Sequence, residues 1–352
     1  MSDNRVSRRE FVHDTAAAAA GAALGAGAIG AADRAAAAAP DPTKTRSYNP
    51  NMEYRRLGRT NLMVSAVSMG GHWKRIPFRH GSDEFKENRR DVIHAALDHG
   101  INFIDACCAP EVRAYAEALG NRREEIYFGF DWTLARNPEI CGSLKRMKQG
   151  LDDGLKAAGL DYVDVWRPTL REQTTRNTIE QIETVMEALA WGKKSGKARF
   201  TGVSTHHRPW IAEAVAKHPE LEVVITPYAA GSKEKPVGSM FDALRKHDVG
   251  LIGIKPFASG NVFQSLGEPD SPTKDEDDDR ARMCLRYALA CDVLSASIPG
   301  LITVDQVKNA ARAVQERREF DLAEQARFQA MTDQMWANLP GHYQWLKDWE
   351  WV

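Results

Sequence analysis

The feature that most constrains this chain is the repeated alternation of short apolar, β-rich runs with helical segments. From Met52 onward, eight such runs predict strands at residues 65–70, 101–107, 125–130, 162–167, 200–204, 222–227, 250–255 and 294–298. Helical patterns are found at residues 89–98, 142–158, 176–195, 210–217, 240–246, 279–290 and 304–316. A β/α series over about 250 residues favours one closed parallel barrel, a (β/α)₈ TIM barrel, over two separate domains.

Composition narrows the class of partner. The chain has 352 residues, of which 43% are hydrophobic and 27% charged, so it can bury one large core. Its 47 basic and 48 acidic residues give a net charge of −1. This balance provides no electrostatic surface for nucleic acid or an anionic membrane. We therefore expect a small-molecule partner, and the oligomeric state stays open.

The first forty residues differ from the rest. Arg8 and Arg9 precede Phe11, and an uncharged run rich in alanine and glycine extends from residue 15 to 32. This order is similar to a twin-arginine export signal, which predicts that residues 1–40 are a signal peptide and that the protein is exported to the periplasm or beyond the cell. A transmembrane anchor and a disordered alanine-rich tail are the alternatives. Apart from the signal, no membrane contact is expected.

The remainder is predicted to form a barrel domain at residues 41–318 and a C-terminal extension at residues 319–352. The extension contains a helical pattern at 320–337 and then Trp345, Trp349 and Trp351. Three tryptophans so close together are costly to leave in water, so we expect this tail to pack back on the barrel, near its pocket. An acidic stretch at residues 267–279 is predicted to be an exposed loop after the seventh strand.

The five cysteines form no CxxC pair and no regular framework. Neither a disulfide scaffold nor a cysteine-based zinc site is expected, and no metal site is predicted. Cys284 and Cys291 are interpreted as buried small apolar side chains. Cys107 and Cys108, at the end of the second strand, leave three alternatives open: a strained vicinal disulfide, one reactive thiol, or ordinary packing and pocket lining.

Several ordered segments carry a family resemblance. They are an opening hairpin at residues 52–65, a second strand at 100–105 ending on Asp105, the segment 202–206, a seventh strand and loop at 250–260, and residues 297–300 at the eighth strand. Together they resemble the aldo/keto reductases. This resemblance implies a (β/α)₈ barrel and an oxidoreductase that uses NAD or NADP on a carbonyl or sugar substrate.

The resemblance breaks at the catalytic tetrad, in which the family uses aspartate, tyrosine, lysine and histidine. Asp105 occupies the aspartate position. Pro110 stands at the tyrosine position, Asp131 at the lysine position, and Thr169 at or beside the histidine position. Proline has no proton to donate, and Asp131 has the wrong charge to lower a tyrosine pKa. The usual reductase mechanism is therefore not expected.

The cofactor positions are kept only in part. The resemblance assigns four residues to the dinucleotide site: Ser204, Thr205, Lys255 and Gly260. Ile254 replaces the stacking tyrosine, and Gly300 and Gln306 stand where the family carries the lysine and arginine that bind the adenosine phosphate. Two alternatives therefore stay open, an NAD(P) cofactor or none, and for NAD(P) there is little reason to prefer NADP.

Barrels of this class act at the C-terminal ends of their strands, so the site residues can also be chosen without the family. The predicted catalytic set is His72, Asp105, Asp131, Arg167 and His206. Asp105 and Asp131 could instead form a structural ion-pair network with Arg167 and Lys255. His72, His206 and Asp105 give only a weak metal signal.

Three functions follow as hypotheses. The first is an oxidoreductase with Asp105 and Ser204 beside a nicotinamide. The second is a non-redox lyase, isomerase or hydratase acting on a carbohydrate through the polar set just given. The third is a binding barrel without turnover. Tyr115 could supply the missing phenol only if the loop at residues 109–115 were rebuilt.

Overall fold

The computed structural model describes residues 40–71, 73, 75–132, 137–170, 177–234 and 237–349. The predicted export signal and His72 therefore lie outside the described residues. No helix among those described is long and apolar enough to cross a membrane.

The β-structure is a small hairpin followed by a parallel barrel. In the hairpin, β1 (Tyr54–Arg56) pairs antiparallel with β2 (Met63–Ser65). The parallel strands are β3 (Met69–Gly70), β4 (Phe103–Ala106), β5 (Tyr127–Phe130), β6 (Val163–Trp166), β7 (Ala198–Ser204), β8 (Val223–Pro227), β9 (Gly250–Ile254) and β10 (Leu294–Ile298). Each strand pairs with its neighbour in the chain. Hydrogen bonds from Ser68 N to Ser297 O (2.9 Å) and from Ser297 N to Ala66 O (2.8 Å) bring the first and last strands together. The predicted TIM barrel is confirmed.

Helices cover the outside of the barrel. They are α1 (Asp83–Asp98), α2 (Ala109–Leu119), α3 (Pro138–Cys141), α4 (Leu144–Ala158), α5 (Ile179–Lys194), α6 (Arg208–Lys217), α7 (Met240–His247), α8 (Lys274–Leu289), α9 (Val304–Gln315) and α10 (Leu322–Ala337). The interpretation of residues 109–115 as a loop is wrong, because α2 begins at Ala109. Pro110 lies in its first turn, where a proline costs no helical hydrogen bond.

The acidic stretch at 267–279 is also not wholly an exposed loop. Helix α8 begins at Lys274, and three acidic residues lie in its first turn, where they interact favourably with the helix dipole. Asp277 is buried and accepts hydrogen bonds from Gln264 N (2.8 Å) and Ser265 N (3.0 Å). Its carboxylate thus anchors the loop that follows β9.

Strand periodicity divides the core into two parts. Side chains facing the barrel interior form one cluster with the hairpin, including Phe103, Val165, Ile225, Ile252 and Ala296. Side chains of the alternate positions pack against the helices, including Ile104, Phe128, Trp166, Val224 and Leu251. Residues that continue the inward series past the strand ends therefore reach the mouth of the barrel.

Candidate active site

A cavity of about 730 Å³ opens at the C-terminal ends of the strands. Its walls come from the ends of β4, β6, β7, β9 and β10, from the loops after β9 and β10, and from the C-terminal tail. The cavity has a polar end at the barrel mouth and continues as a groove between the loops after β9 and β10.

A buried ion pair lies at the polar end. Asp105 is two residues beyond Phe103, and Arg167 is two residues beyond Val165, so both continue inward-facing series. Arg167 Nε donates to Asp105 Oδ1 at 2.5 Å, and both side chains are almost fully buried. Burial raises the pKa of Asp105, and the attraction of Arg167 offsets this only in part.

The guanidinium of Arg167 stays charged. Burial alone lowers its pKa, but the negative charges of Asp105 and Asp131 outweigh burial and raise it. Arg167 Nη1 donates to Thr169 Oγ1 at 3.1 Å, whereas Nη2 has no hydrogen-bond partner among the described residues. One donor of the Arg167 guanidinium thus remains unpaired within the described residues.

Asp131 does not belong to the cavity wall. It is fully buried, and its Oδ2 accepts a hydrogen bond from Thr169 N at 2.9 Å. It therefore supports the wall from behind while adding negative charge near Arg167. The positive charge that the family resemblance implies at position 131 is thus carried by Arg167 on the neighbouring strand β6.

His206 and Lys255 form a second polar pair in the cavity. Lys255 Nζ lies 3.5 Å from His206 Nε2. The imidazole of His206 stacks on Trp345 of the C-terminal tail, with ring centroids 4.7 Å apart. Leu346 is buried beside it. The tail thus forms part of the cavity wall and leaves His206 only 3% exposed.

The predicted cofactor residues are placed unevenly. Ser204, Lys255 and Gly260 line the cavity, but Thr205 is fully buried outside it, with its N–H bonded to Ile225 O at 3.0 Å. Gly260 has a φ of +90°, and a Cβ there would come within 2.7 Å of Leu266 O. Only glycine fits at that position.

Two walls bound the groove. On one wall, in the loop after β9, Lys255, Ala258 and Ser259 have positive φ, and the N–H of Ala258 donates to Lys255 O at 2.9 Å. On the opposite wall, Thr303 caps the N-terminus of α9, and Gln306 lies in its first turn. A helix N-terminus favours phosphate. The N-terminus of α9 is therefore the part of the groove that favours an anion.

Buried Arg89 fixes the loop on that wall. Its guanidinium donates to Leu301 O at 3.1 Å and to Ile302 O at 3.0 Å, and it lies over the ring of Trp73. Burial lowers the pKa of Arg89 to about 10, so it stays charged at neutral pH. The loop after β10 is therefore held against α1.

Tyr115 does not replace the missing tyrosine. It lies in α2, is fully buried, and packs edge-on against Trp73 with centroids 5.0 Å apart. Burial raises its pKa, which opposes proton donation. Tyr115 is not part of the cavity wall.

Two cysteines and a glutamate meet where β4 passes into α2. Cys107 and Cys108 are both thiols and line the cavity. Glu111 is 3% exposed and its Oε2 accepts from Cys107 N at 2.9 Å. The hydrogen bond with Cys108, followed by burial and Glu111, raises the pKa of the Cys107 thiol. The sequence analysis did not identify Glu111 as a site residue. Glu111 is four residues after Cys107, and its carboxylate reaches Cys107 because α2 begins at Ala109.

The fold and this cavity define the chain as a (β/α)₈ barrel with a cavity at its C-terminal face that polar and apolar residues line together. A model of the aldo/keto reductase family matches residues 68–332. The chain belongs to the aldo/keto reductase family.

Curated relatives are distant. The L-glyceraldehyde 3-phosphate reductase of Escherichia coli K12 is 25% identical over 226 residues, covering 59% of this chain and 62% of that protein. The chain thus spans less than two thirds of that relative's length. The L-galactose dehydrogenase of Arabidopsis thaliana is 24% identical over 292 residues, covering 75% of this chain and 89% of the relative.

Solved structures agree in fold. The holo form of an aldo-keto reductase from Bacillus halodurans has a TM-score of 0.58 and 23% identity, covering 80% of this chain and 96% of that one. An aldo/keto reductase from Klebsiella pneumoniae in complex with NADP and acetate has a TM-score of 0.61 and 15% identity, with coverage of 80% and 95%.

Proposed function

We propose that this protein is an exported oxidoreductase that uses NAD(P) and acts on a small carbonyl or hydroxyl compound of the sugar type. The observation that carries the proposal is the continuity of one cavity, about 730 Å³ in volume, from the Asp105–Arg167 pair to the groove at Gly260 and Gln306. A substrate and a dinucleotide can therefore lie in contact with each other.

The groove would hold the cofactor. The loop at 255–260 and the N-terminus of α9 suit its phosphates, Ser204 lies beside the mouth, and Ile254 offers an apolar surface to a flat ring. When bound, a nicotinamide would donate or accept a hydride. The solved Klebsiella relative in complex with NADP supports this choice of cofactor. Because Gly300 and Gln306 provide no cationic side chain, we expect no strong preference for NADP.

The mouth would hold the substrate. Arg167 donates to a substrate oxygen through Nη2, and Asp105 keeps the guanidinium in position. The charge of Arg167 stabilises negative charge that develops on that oxygen. His206 and Lys255, 3.5 Å apart, are the groups placed to move a proton. Two relatives named for glyceraldehyde 3-phosphate and for galactose support a sugar-type substrate.

A titration tests the cofactor. The chain beginning at residue 40 is mixed with millimolar NADH or NADPH, and the shift in Tm and the quenching of tryptophan fluorescence are followed. At 100 times Kd, binding adds about 2.7 kcal/mol to the free energy of unfolding, so both nucleotides are expected to raise Tm. Gly260→Val, which places a side chain against Leu266 O, is expected to abolish the shift. No shift at millimolar nucleotide contradicts the proposal.

A second candidate is a cofactor-independent lyase, isomerase or hydratase that acts on a carbohydrate. This candidate is favoured because neither residue considered for the tyrosine role can donate a proton to a substrate. Pro110 has no proton to donate and lies in α2, and Tyr115 is fully buried. Asp105, Arg167 and His206 could then act as acid, base and anion binder. Turnover of a keto-sugar without nucleotide, lost in an Asp105→Asn variant that is still folded at the assay temperature by its Tm, would establish it. Absence of turnover with and without nucleotide would leave a binding barrel.

Export is a separate part of the proposal and rests on Arg8 and Arg9. Cell fractionation after expression in a bacterium with a twin-arginine pathway is the test. The protein is expected in the periplasm, and changing both arginines to lysine is expected to retain it in the cytoplasm. Unchanged export of that variant contradicts this part.

A further inference from the structure

The group formed by Cys107, Cys108 and Glu111 has a chemistry that the proposed function does not use. One sulfur from each cysteine and one carboxylate oxygen of Glu111 lie within 4.8 Å of one another. We propose that these three residues bind a thiophilic divalent cation, with zinc as the expected ion.

The distances suit such an ion. Zinc binds thiolate sulfur at about 2.3 Å and carboxylate oxygen at about 2.0–2.2 Å, which in a tetrahedron places the ligand atoms about 3.5–3.8 Å apart. Atoms within 4.8 Å of one another reach that spacing by movements of about 1 Å or less, which side-chain rotation can supply. No backbone rearrangement is required.

The scaffold is fixed by ordinary secondary structure. Strand β4 ends at Ala106, and Cys108 is the N-cap of α2, without a side-chain capping bond of its own. Glu111, in the first helical turn, is held by the 2.9 Å hydrogen bond from Cys107 N, while its Oε1 lies 3.4 Å from Cys107 Sγ. Hydrogen bonds from neighbouring groups to a metal-binding carboxylate orient it toward the ion. Charge adds to the case, because a dication offsets most of the negative charge of two thiolates and a buried carboxylate.

The site would keep an open coordination position. Cys107 and Cys108 line the cavity and Glu111 does not, so the protein ligands approach from one side. Three protein ligands with a fourth position for water or substrate is the arrangement of catalytic zinc sites. Asp105 is two residues from Cys107, which places the ion beside the Asp105–Arg167 pair. An oxygen-bearing substrate in the cavity could therefore contact it.

Metal binding is measured without nucleotide or substrate, so its result is independent of the proposed oxidoreductase activity. The chain beginning at residue 40 is purified under reducing conditions, stripped with a chelator and titrated with Co²⁺, then with Zn²⁺. We expect one equivalent of cobalt to bind, with thiolate-to-cobalt absorption in the near ultraviolet and tetrahedral bands in the visible. One equivalent of zinc is expected to displace it.

Variants assign the ligands. Cys108→Ser and Glu111→Gln are each expected to weaken zinc binding at least tenfold, and Cys108→Ser to reduce the thiolate absorption. Cys291→Ser, at a half-buried cysteine outside the cavity wall, is the matched control and should change neither. Tm values establish that each variant folds. If one of the two ligand variants does not fold, the other alone tests the assignment.

Three outcomes overturn the proposal. They are substoichiometric binding by the reduced chain, a cobalt spectrum without thiolate absorption, and equal weakening by Cys291→Ser. The wild-type chain could be isolated with a Cys107–Cys108 disulfide, two mass units lighter than the dithiol. If it still binds no zinc after reduction, the binding counts as substoichiometric and the proposal is overturned.

Discussion

At the scale of single residues, the site is organised around the positive charge of Arg167. Where the family resemblance implies a lysine, the chain has Asp131, and the positive charge is supplied by Arg167 from the next strand. Two buried carboxylates without that guanidinium would be costly, because each desolvated charge needs a partner. Asp105 therefore keeps the position of a catalytic aspartate in a different electrostatic environment.

Removing Asp105 should destabilise the fold as well as the site. Asp105→Asn leaves the buried guanidinium of Arg167 without its carboxylate partner, so we expect the free energy of unfolding to fall by about 3–5 kcal/mol. Urea denaturation measures this. The double variant Asp105→Asn, Arg167→Met removes both charges and should recover part of the loss. A loss below about 1 kcal/mol in the single variant contradicts the prediction.

Another buried carboxylate lies near the N-terminal end of a barrel strand, outside the cavity wall. Asp164, at the start of β6, is fully buried and contacts Arg46 (3.4 Å), Arg123 (3.0 Å) and Arg199 (2.7 Å). Phe128 N also donates to it at 2.9 Å. Burial alone raises its pKa, but the three arginines and this hydrogen bond outweigh burial and lower the pKa.

This lowered pKa gives a pH dependence with a definite sign. A carboxyl whose pKa is lower in the folded state stabilises the fold above its unfolded pKa of about 3.9, and the stabilisation is lost as pH falls through the folded value. Asp164→Asn should therefore cost about 2–4 kcal/mol at pH 7, and the difference from the wild type should shrink below about pH 4. Asp161→Asn, at an exposed position, is the control for urea unfolding at both pH values. A constant difference across pH would be inconsistent with this account.

At the scale of elements, the loop after β9 depends on α8. Asp277 accepts from Gln264 N, Ser265 N and Ser265 Oγ, and so holds the segment that contains Gly260 and Leu266. The sequence showed only a run of acidic residues. The role of Asp277 follows from the start of α8 at Lys274, which brings this one carboxylate of the run into hydrogen-bond contact with the loop.

Loosening this loop should weaken nucleotide binding while leaving the barrel folded. Asp277→Ala removes the acceptor of the three hydrogen bonds from Gln264 and Ser265, and we expect the Kd for NAD(P)H to rise about tenfold, corresponding to about 1.4 kcal/mol. Asp275→Ala, at an exposed position in the same helical turn, is the control. Fluorescence titration measures the affinity, and equal affinities in the two variants would disprove the role of Asp277.

At the scale of the whole molecule, the segment before the hairpin closes the base of the barrel. Thr45 Oγ1 donates to Met63 O at 2.6 Å, Asn102 Nδ2 donates to Arg46 O at 3.1 Å, and Tyr54 OH donates to Ser47 O at 2.9 Å. Residues 40–50 thus connect the hairpin to β4 and, through Arg46, to Asp164.

Two truncations should therefore differ. A chain that begins at residue 40 keeps these contacts and should have the Tm of the full chain, because residues 40–349 contain both parts of the barrel core. A chain that begins at residue 50 loses Thr45, Arg46 and Ser47 and should melt several degrees lower. Differential scanning calorimetry tests this. Equal Tm values for the two truncations would show that the segment contributes no stability.

The sequence predicted much of the fold because hydrophobic periodicity is a local property. All eight barrel strands overlap the runs that it predicts, although most are shorter, above all β3 and β4, and β7 is longer. It placed residues 109–115 in a loop, whereas α2 begins at Ala109 and Pro110 is compatible with its first turn. The candidate site was predicted less completely, because a strand-end position indicates the face of the barrel but not the depth of a side chain. Asp131 and Thr205 are buried behind the wall, whereas Asp105, Arg167 and His206 reach the cavity.

By itself, the sequence determined the architecture, because alternating strands and helices specify the barrel. The absence of the family's tyrosine donor, inferred from Pro110, stays a prediction. Only the tertiary structure decided which charges meet. Asp105 pairs with Arg167 because of the register of β4 to β6. Trp345 stacks on His206 because of the path of the tail, and Glu111 reaches Cys107 because of where α2 starts. These depend on how strands are staggered and helices begin, which side-chain periodicity does not specify.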